Sequence, residues 1–455
     1  MTDEPAPDLV EVARRVAGGA GGGEEVEAFV VRSRETEVRV FDGEVESLSV
    51  AGVEGVGVRV ISGHRQGFAW AGSLDAAVVD ETVGEARNNA EFGEPDEWNG
   101  LPSPADYDAV APAQLDVWRE SLLAVPTDDK VALALELEGA TRAADTRVRG
   151  VEYAGYSDTA VETAVVSSSG VEASNRRTMC SCSSFAMAGE GDDTQTGYGF
   201  SAGRAFEDLD AVDAATTAAE RAVRLLGAAK ARSQRLPVVL DPLVTRSLLA
   251  IIGAALGGEA VLKNRSLFVG REGEQVAAPG VTLREDPTRP DALGAARHDG
   301  EGVPTRPVDL IAAGRLLGYL HNTYTGRRSG TATTGSAVRS GFKSAPGVGA
   351  RALYVEPGSR SPEEILAAAP GALYVQAVSG LHSGTNPVSG DFSVGAEGLM
   401  VRDGDLAEPV REVTIASTLQ RILLDVAEVG ADLTWLPAGG AGMTLLVDGM
   451  TMSGA

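Results

Sequence analysis

An α+β fold in two parts is predicted: an N-terminal antiparallel sheet with helices, then a β-rich, barrel-like half with a few helices. Three observations predict it. Residues 26–60 and 147–205 alternate apolar and polar side chains with the period of a strand. Helical patterns interrupt them around residues 8–16, 73–89, 128–144 and 212–231. Near Ser233–Pro237 the pattern breaks, and short strands with many glycines dominate beyond it. The expected domains are 1–234 and 235–455.

The elements follow in order. Asp8 to Val16 reads as a short amphipathic helix, ended by the glycines of residues 18–23. Val38, Val40, Val45, Leu48 and Val50 alternate with polar neighbours around Asp42-Gly43, a hairpin turn. GVGVRVISGHRQGFAWAG gives two strands about a turn at Ser62–Gln66. Ser73 is placed to cap a helix to about Asn89, with Asp75 in its first turn, where an acid favours the helix dipole. A Pro- and Asp-rich loop, Phe92 to Ala113, precedes a helix over Asp128–Ala144. After the β-like stretch of 147–205 comes a helix over Val212–Ala231. LPVVL is a strand, Asp241-Pro242 a cap followed by an N1 proline, and LVTRSLLAIIGAALGG a helix closed by Gly257-Gly258. A last helix is expected over Ser417–Val429, then two strands.

Composition limits the function. The 455 residues can bury a large core, and 43% hydrophobic with 23% charged residues is the balance of a folded protein. A net charge of -26 repels phosphate backbones and anionic lipid, so neither nucleic acid nor membrane is an expected partner. The start, MTDEPAPDLVEVARR, lacks the basic and apolar regions of a secretion signal. The longest apolar run, Leu248–Leu256, is far short of the ~20 residues that span a bilayer. A cytoplasmic protein is expected. The two cysteines, Cys180 and Cys182, fit a reducing compartment; their spacing puts both on one face of a strand.

No motif declares a chemistry. There is no paired-histidine metal spacing, no phosphate loop and no nucleophile elbow. The densest polar segment, Leu381–Asp405, holds His382, Ser383, Asn386, Asp391 and Ser393 among glycines. Its residue types allow a catalytic group built on His382 with Ser383 and Asp391, or a substrate-binding loop. They also allow a hairpin with a structural histidine. In HNTYTGRRSGTATTGS, Tyr324, Arg327 and Arg328 can hold a carboxylate or simply form a solvated loop.

Across nearly its whole length the chain resembles the TldD/PmbA family, the modulators of DNA gyrase, and within it the PmbA (TldE) branch. The resemblance rests on Arg59-Val60, Gly67-Phe68-Ala69, Arg284-Glu285-Asp286-Pro287, VDLIAAGRLLGYL and, most specifically, SGDFSVGAEGLMVRDGDLAEPVREVTIASTL at Ser389–Leu419. It implies the following. The TldD branch looks like a metalloprotease, whose helix carries H-E-x-x-x-H and whose metal site is completed by a cysteine near the C-terminus. Aligned by Asn264–Ser266, those histidines fall on Leu249 and Ala254, the glutamate falls on Ala250, and the cysteine falls within 436–444, where none occurs. Carbon side chains cannot ligate zinc, so no catalytic residue, metal or cofactor is expected in this chain. The resemblance implies a catalytically incomplete subunit that partners a zinc-bearing TldD-like metalloprotease acting on peptides or small unfolded proteins. Gly384–Gly398 would then offer a strand edge to the peptide. Two other readings stand beside it: an autonomous non-metal hydrolase using His382, or a self-associating peptide-binding protein that forms a homodimer when alone.

Overall fold

The computed structural model describes residues 7–107, 110–437 and 439–454. Outside them lie residues 1–6 of the stretch read for a secretion signal, 108–109 of the Pro- and Asp-rich loop, 438 within 436–444, and 455.

The first half is one six-stranded sheet with helices on a single face. After α1 (Leu9–Gly18) come β1 (Glu24–Phe41), β2 (Glu44–Ser62), β3 (Arg65–Ala71), α2 (Ala76–Phe92), α3 (Glu120–Ala124), α4 (Thr127–Ala144), β4 (Val148–Ser167), β5 (Glu172–Ala188), β6 (Gln195–Gly203) and α5 (Ala211–Val223). The strand order is β3-β2-β1-β4-β5-β6, and every neighbouring pair is antiparallel. Asp42 and Gly43 turn β1 into β2 with φ of 55° and 79°, the left-handed pair that a two-residue hairpin requires. Strand alternation then sorts the faces. Val26, Ala28, Val30, Val56, Val58 and Val60 pack against α1 and α2. Val38, Val40, Tyr156, Cys180 and Cys182 pack against α4 and α5. Gly67 lets β3 lie directly on α2, because a methyl there would meet the Ala86 carbonyl. The opposite face, carrying Glu27, Phe29, Val31, Arg59 and Arg177, turns toward the second half.

The second half closes into a barrel. β7 (Gln234–Leu240), α6 (Pro242–Ala255) and α7 (Gly258–Leu262) lead into short strands β8 (Leu283–Glu285), β9 (Val308–Ala312) and β10 (Arg315–Leu316). Then follow α8 (Thr323–Arg328), β11 (Ala337–Val338), β12 (Gly347–Val348), β13 (Leu353–Val355), α9 (Pro362–Ala368), β14 (Leu373–Ser379), α10 (Leu381–Gly384), β15 (Asp391–Arg402) and β16 (Asp405–Thr418). The last elements are α11 (Leu419–Leu424), β17 (Val426–Val429), β18 (Thr434–Trp435), β19 (Ala441–Gly442) and β20 (Leu445–Ser453). The order β16-β15-β14-β7-β20, with β16 also paired to β20, makes a closed five-stranded barrel, and β17 adds to β20. β8, β9, β10 and β13 form a small separate sheet. The apolar side of α6 (Leu248, Leu249, Ile252, Leu256) joins Val238, Leu240, Leu373 and Ile415 in one core. Asp241 caps α6 through the Leu243 N–H at 2.9 Å, with Pro242 next.

Four expected elements differ. Asp75, not Ser73, occupies the N-cap of α2; the Ser73 hydroxyl instead accepts the Asp75 N–H and makes a turn ahead of the helix. α5 ends at Val223, not near 231: the Leu225 and Leu226 N–H groups turn back to Ala222 and Val223 in tighter turns, and Gly227 at φ +77° then redirects the chain. Gly257-Gly258 does not close α6 in left-handed geometry. Gly257 has φ -70° and starts α7, and Gly258 allows close approach to Leu320 and the His321 ring. The last helix spans only Leu419–Leu424, since Ser417 and Thr418 belong to β16 and the branched Val426 and Val429 pair with β20. Among the described residues no helix is long and apolar enough to cross a membrane.

A buried ion-pair network joins the halves. Glu27 of β1 accepts from Arg59 at 2.8 Å and from Arg339, and Arg59 also reaches Glu301 at 3.2 Å. Burial alone would raise the Glu27 pKa, but the two guanidinium groups outweigh it and hold the carboxyl below its usual range. Near it, Phe342 packs on Trp70, over the glycines at 55 and 57.

Candidate functional site

Two cavities bear on function. The smaller, about 250 Å³, opens along one side of α6. Helical spacing puts Arg246, Leu249, Ala250, Gly253 and Ala254 on that side. Val348–Leu353 and Gly439–Ala441 complete the wall. The three places where the resemblance puts metal ligands and base are thus neighbours, and the segment where it puts the thiolate faces them. What they present is carbon: an isobutyl group, two methyls and glycine backbone. The polar groups beside them are guanidinium ions, Arg246 and Arg351, which have no lone pair to give. A zinc ion needs nitrogen, oxygen or sulfur donors at ~2.0–2.3 Å. These residues do not fit it. Among the described residues no group of three or more His, Cys, Asp or Glu side chains is placed to hold a metal anywhere.

Arg351 is positioned by a second motif. Glu285 is buried and accepts the backbone N–H groups of Arg351 (2.7 Å) and Ala352 (3.0 Å). Burial pushes its pKa up to about 7, against the pull of those bonds. Arg284-Glu285-Asp286-Pro287 therefore tethers the strand end that forms one wall of the cavity.

The larger cavity, about 900 Å³, lies between the open face of the first sheet and the second half. Phe29, Val31 and Val161 give it an apolar floor, and Arg177, Arg297, Arg339 and Arg351 line it. Asp299 lines it too, but its carboxylate already accepts the N–H groups of Glu301, Val303 and Ala337. Burial pushes its pKa up to about 7.

The polar residues singled out in the sequence lie elsewhere. His382 and Ser383 are exposed on α10. The Ser383 hydroxyl bonds the Gly380 carbonyl, and Asp391 accepts from Ser389, so neither is joined to His382. Asn386 accepts the Val388 and Ser389 N–H groups in a turn, and Ser393 is exposed on β15. The arrangement is a surface loop and not an assembled triad. Tyr324 donates to Asp96 at 2.8 Å and accepts from Arg328, while Arg327 bonds Asp106 and the Leu101 carbonyl. Those side chains hold α8 to the first half. Nor does Gly384–Gly398 offer an edge: β15 pairs with β14 and β16, and Thr385 bridges Phe392 where β14 has ended. Cys180 and Cys182 are buried on one face of β5, and burial pushes their thiols up to about 12 and about 11. Of the residues that line the larger cavity, Arg177 and Arg351 were not singled out from the sequence. Their only local signal is a basic pair, Arg176-Arg177, inside a strand.

Comparison with known proteins agrees with this architecture. Models for the first, central and C-terminal domains of PmbA/TldA metallopeptidases match residues 26–90, 120–226 and 233–454. Metalloprotease PmbA of Escherichia coli O157:H7 is 27% identical over 94% of this chain and 91% of its own length. A metalloprotease TldD homolog of Haemophilus influenzae is 27% identical over 88% and 83%. Two solved structures share the fold: a candidate modulator of a DNA gyrase from Thermotoga maritima (TM-score 0.88, 24% identity, 98% of both chains) and TldE from Thermococcus kodakarensis (TM-score 0.87, 24% identity, 94% and 97%).

Proposed function

Since the chain belongs to the PmbA/TldD metallopeptidase family, we propose that it is a subunit that assists peptide cleavage without holding the metal. It pairs with a TldD-like chain, and that partner supplies the zinc and the catalytic base. One observation carries this reading: at the positions expected to hold the metal, the α6 cavity is walled by Leu249, Ala250, Ala254 and glycine backbone, next to Arg246 and Arg351. None of these can bind the ion or deprotonate water. The substrates are peptides or small unfolded proteins, and the work is done by the assembly. Exposed His382, with Ser383 and Asp391 bonded elsewhere, gives an independent hydrolase no support.

The test is metal analysis of the purified chain, then peptide cleavage with and without a co-expressed partner that carries H-E-x-x-x-H. Co-purification and partner-dependent cleavage are expected. Stoichiometric zinc on this chain, or full cleavage by this chain alone, would overturn the reading.

A further inference from the structure

The 900 Å³ cavity has an electrostatic peculiarity. The chain has 65 acidic residues against 39 basic ones, and Asp8, Asp116, Glu162 and Asp299 are part of the cavity lining, yet one of the guanidinium groups there, that of Arg177, is left unpaired. Arg177 projects from the open face of β5, in register with Val161 of β4. Among the described residues it has no ion-pair or hydrogen-bond partner. Its side chain is exposed and opens into the cavity. Arg351 stands near enough to repel it, as does Arg204; Asp299 and Glu285 act on Arg351, and Asp208 on Arg204, but no carboxylate acts on Arg177 itself. The cavity walls and these like charges lower the Arg177 pKa. Among the described residues the Arg351 side chain bonds only the Ala337 carbonyl, and its buried Nε has no partner. Arg339 and Asp299 are committed to internal bonds.

Two neighbouring guanidinium groups that face one cavity make a seat for an anion. Guanidinium groups with free donors match carboxylate geometry in a two-pronged contact. The apolar floor beside them, Phe29, Val31 and Val161, suits a neighbouring aliphatic or aromatic side chain. The volume lies within the range of small-ligand pockets, roughly 300–1,000 Å³. The Asp299 carboxyl group would disfavour a phosphate dianion more than a carboxylate. We propose that this cavity binds a carboxylate group of a peptide, held by Arg177 and Arg351 with apolar peptide side chains on the sheet face. That the ligand is a peptide rests on the function proposed above; the anion site itself rests on the cavity.

Calorimetric titration of the intact chain tests it. The probes are the apolar pentapeptide Ala-Ala-Val-Ala-Phe as free acid and as C-terminal amide, a blocked peptide carrying one internal Glu or Gln, and inorganic phosphate. The free acid or the Glu peptide should bind, and its amide or Gln counterpart should not. Which pair discriminates tells whether a chain end or an acidic side chain is read. Arg177→Gln should weaken binding roughly ten- to a hundredfold, the loss of a charge-assisted bond, and Arg177→Lys should recover part of it. Since Arg177 has no internal partner, Arg177→Gln should leave the melting temperature unchanged or higher; a marked fall would make the residue structural and overturn the proposal. Binding that ignores the carboxylate, an Arg177→Gln variant that binds normally, or phosphate binding in preference to peptide would also overturn it. Carboxylate-dependent binding in a chain that never pairs with a metal-bearing partner would sink the peptidase reading and leave this site standing. Partner-dependent cleavage with no such binding would do the reverse.

Discussion

Glu27→Gln is the sharpest probe of what holds the two halves together. Glu27 is fully buried, and its carboxylate accepts from Arg59 and Arg339, both of which are buried too. Glutamine keeps the size but removes the charge. Two buried guanidinium groups would then share one carboxylate, Glu301, which is already 3.2 Å from Arg59. Breaking a buried pair in this way costs about 3–5 kcal/mol. The amide oxygen can still accept one bond, which favours the lower end, about 3 kcal/mol. That is a large share of a typical stability of ~5–15 kcal/mol. Urea unfolding at pH 7, followed by tryptophan fluorescence, measures it, and Trp70, packed on Phe342 beside the network, reports the junction directly. The double variant Glu27→Gln with Arg339→Met should recover part of the loss, because it removes the stranded cation as well. A loss under about 1 kcal/mol, or strict additivity of the two changes, would refute the view that this network clamps the halves.

Three further outcomes are expected. Burial holds the folded pKa of Glu285 at about 7, above its unfolded value of 4.5; the stability tied to this group is complete below pH ~4.5 and is lost as pH rises through about 7. Glu285→Gln should therefore gain on the parent chain by up to about 3 kcal/mol between pH 4.5 and 8 in parallel denaturation curves, and a constant difference would contradict the burial argument. The Cys180 and Cys182 thiols, raised to about 12 and about 11, should resist iodoacetamide at pH 8 in the native chain and react in denaturant; mass spectrometry showing native labelling would refute their burial. Gly67→Ala should destabilise by about 3 kcal/mol, since the new methyl meets the α2 backbone at Ala86 and Ala90, and an unchanged melting temperature would mean that α2 does not sit on β3 as described.

Much of the fold was legible because local chemistry and tertiary demand agree. Asp42-Gly43 between alternating runs specifies a hairpin, and Asp241-Pro242 specifies a helix start; both stand as read. The misreadings occur where distant contacts override local preference. Val426 and Val429 continue a helical pattern, but β20 claims them as a strand. Gly257-Gly258 looks like a helix stop, but its use is to let Leu320 and His321 come close. The site was legible only through resemblance. Leu249, Ala250 and Ala254 carry no chemical signal of their own, and their meaning lies in the donors they lack. Arg177 and Arg351 are far apart in the chain, on opposite sides of a domain junction, so no spacing rule could join them. His382, Asn386 and Asp391 drew attention by polarity alone, and that polarity serves a surface turn.

Barrel closure sets an order of events during synthesis. β7, at Gln234–Leu240, takes β14 on one side and β20, at Leu445–Ser453, on the other. As the chain leaves the ribosome, β7 emerges roughly two hundred residues before β20. The first sheet, by contrast, has all its strands once Gly203 is out. The earlier half can fold while the later half waits with β7 exposed along one edge, a state open to mispairing and to chaperone capture. Arg177 and its apolar floor are in place before the wall bearing Arg351 arrives, so the carboxylate cavity is among the last features of the molecule to form.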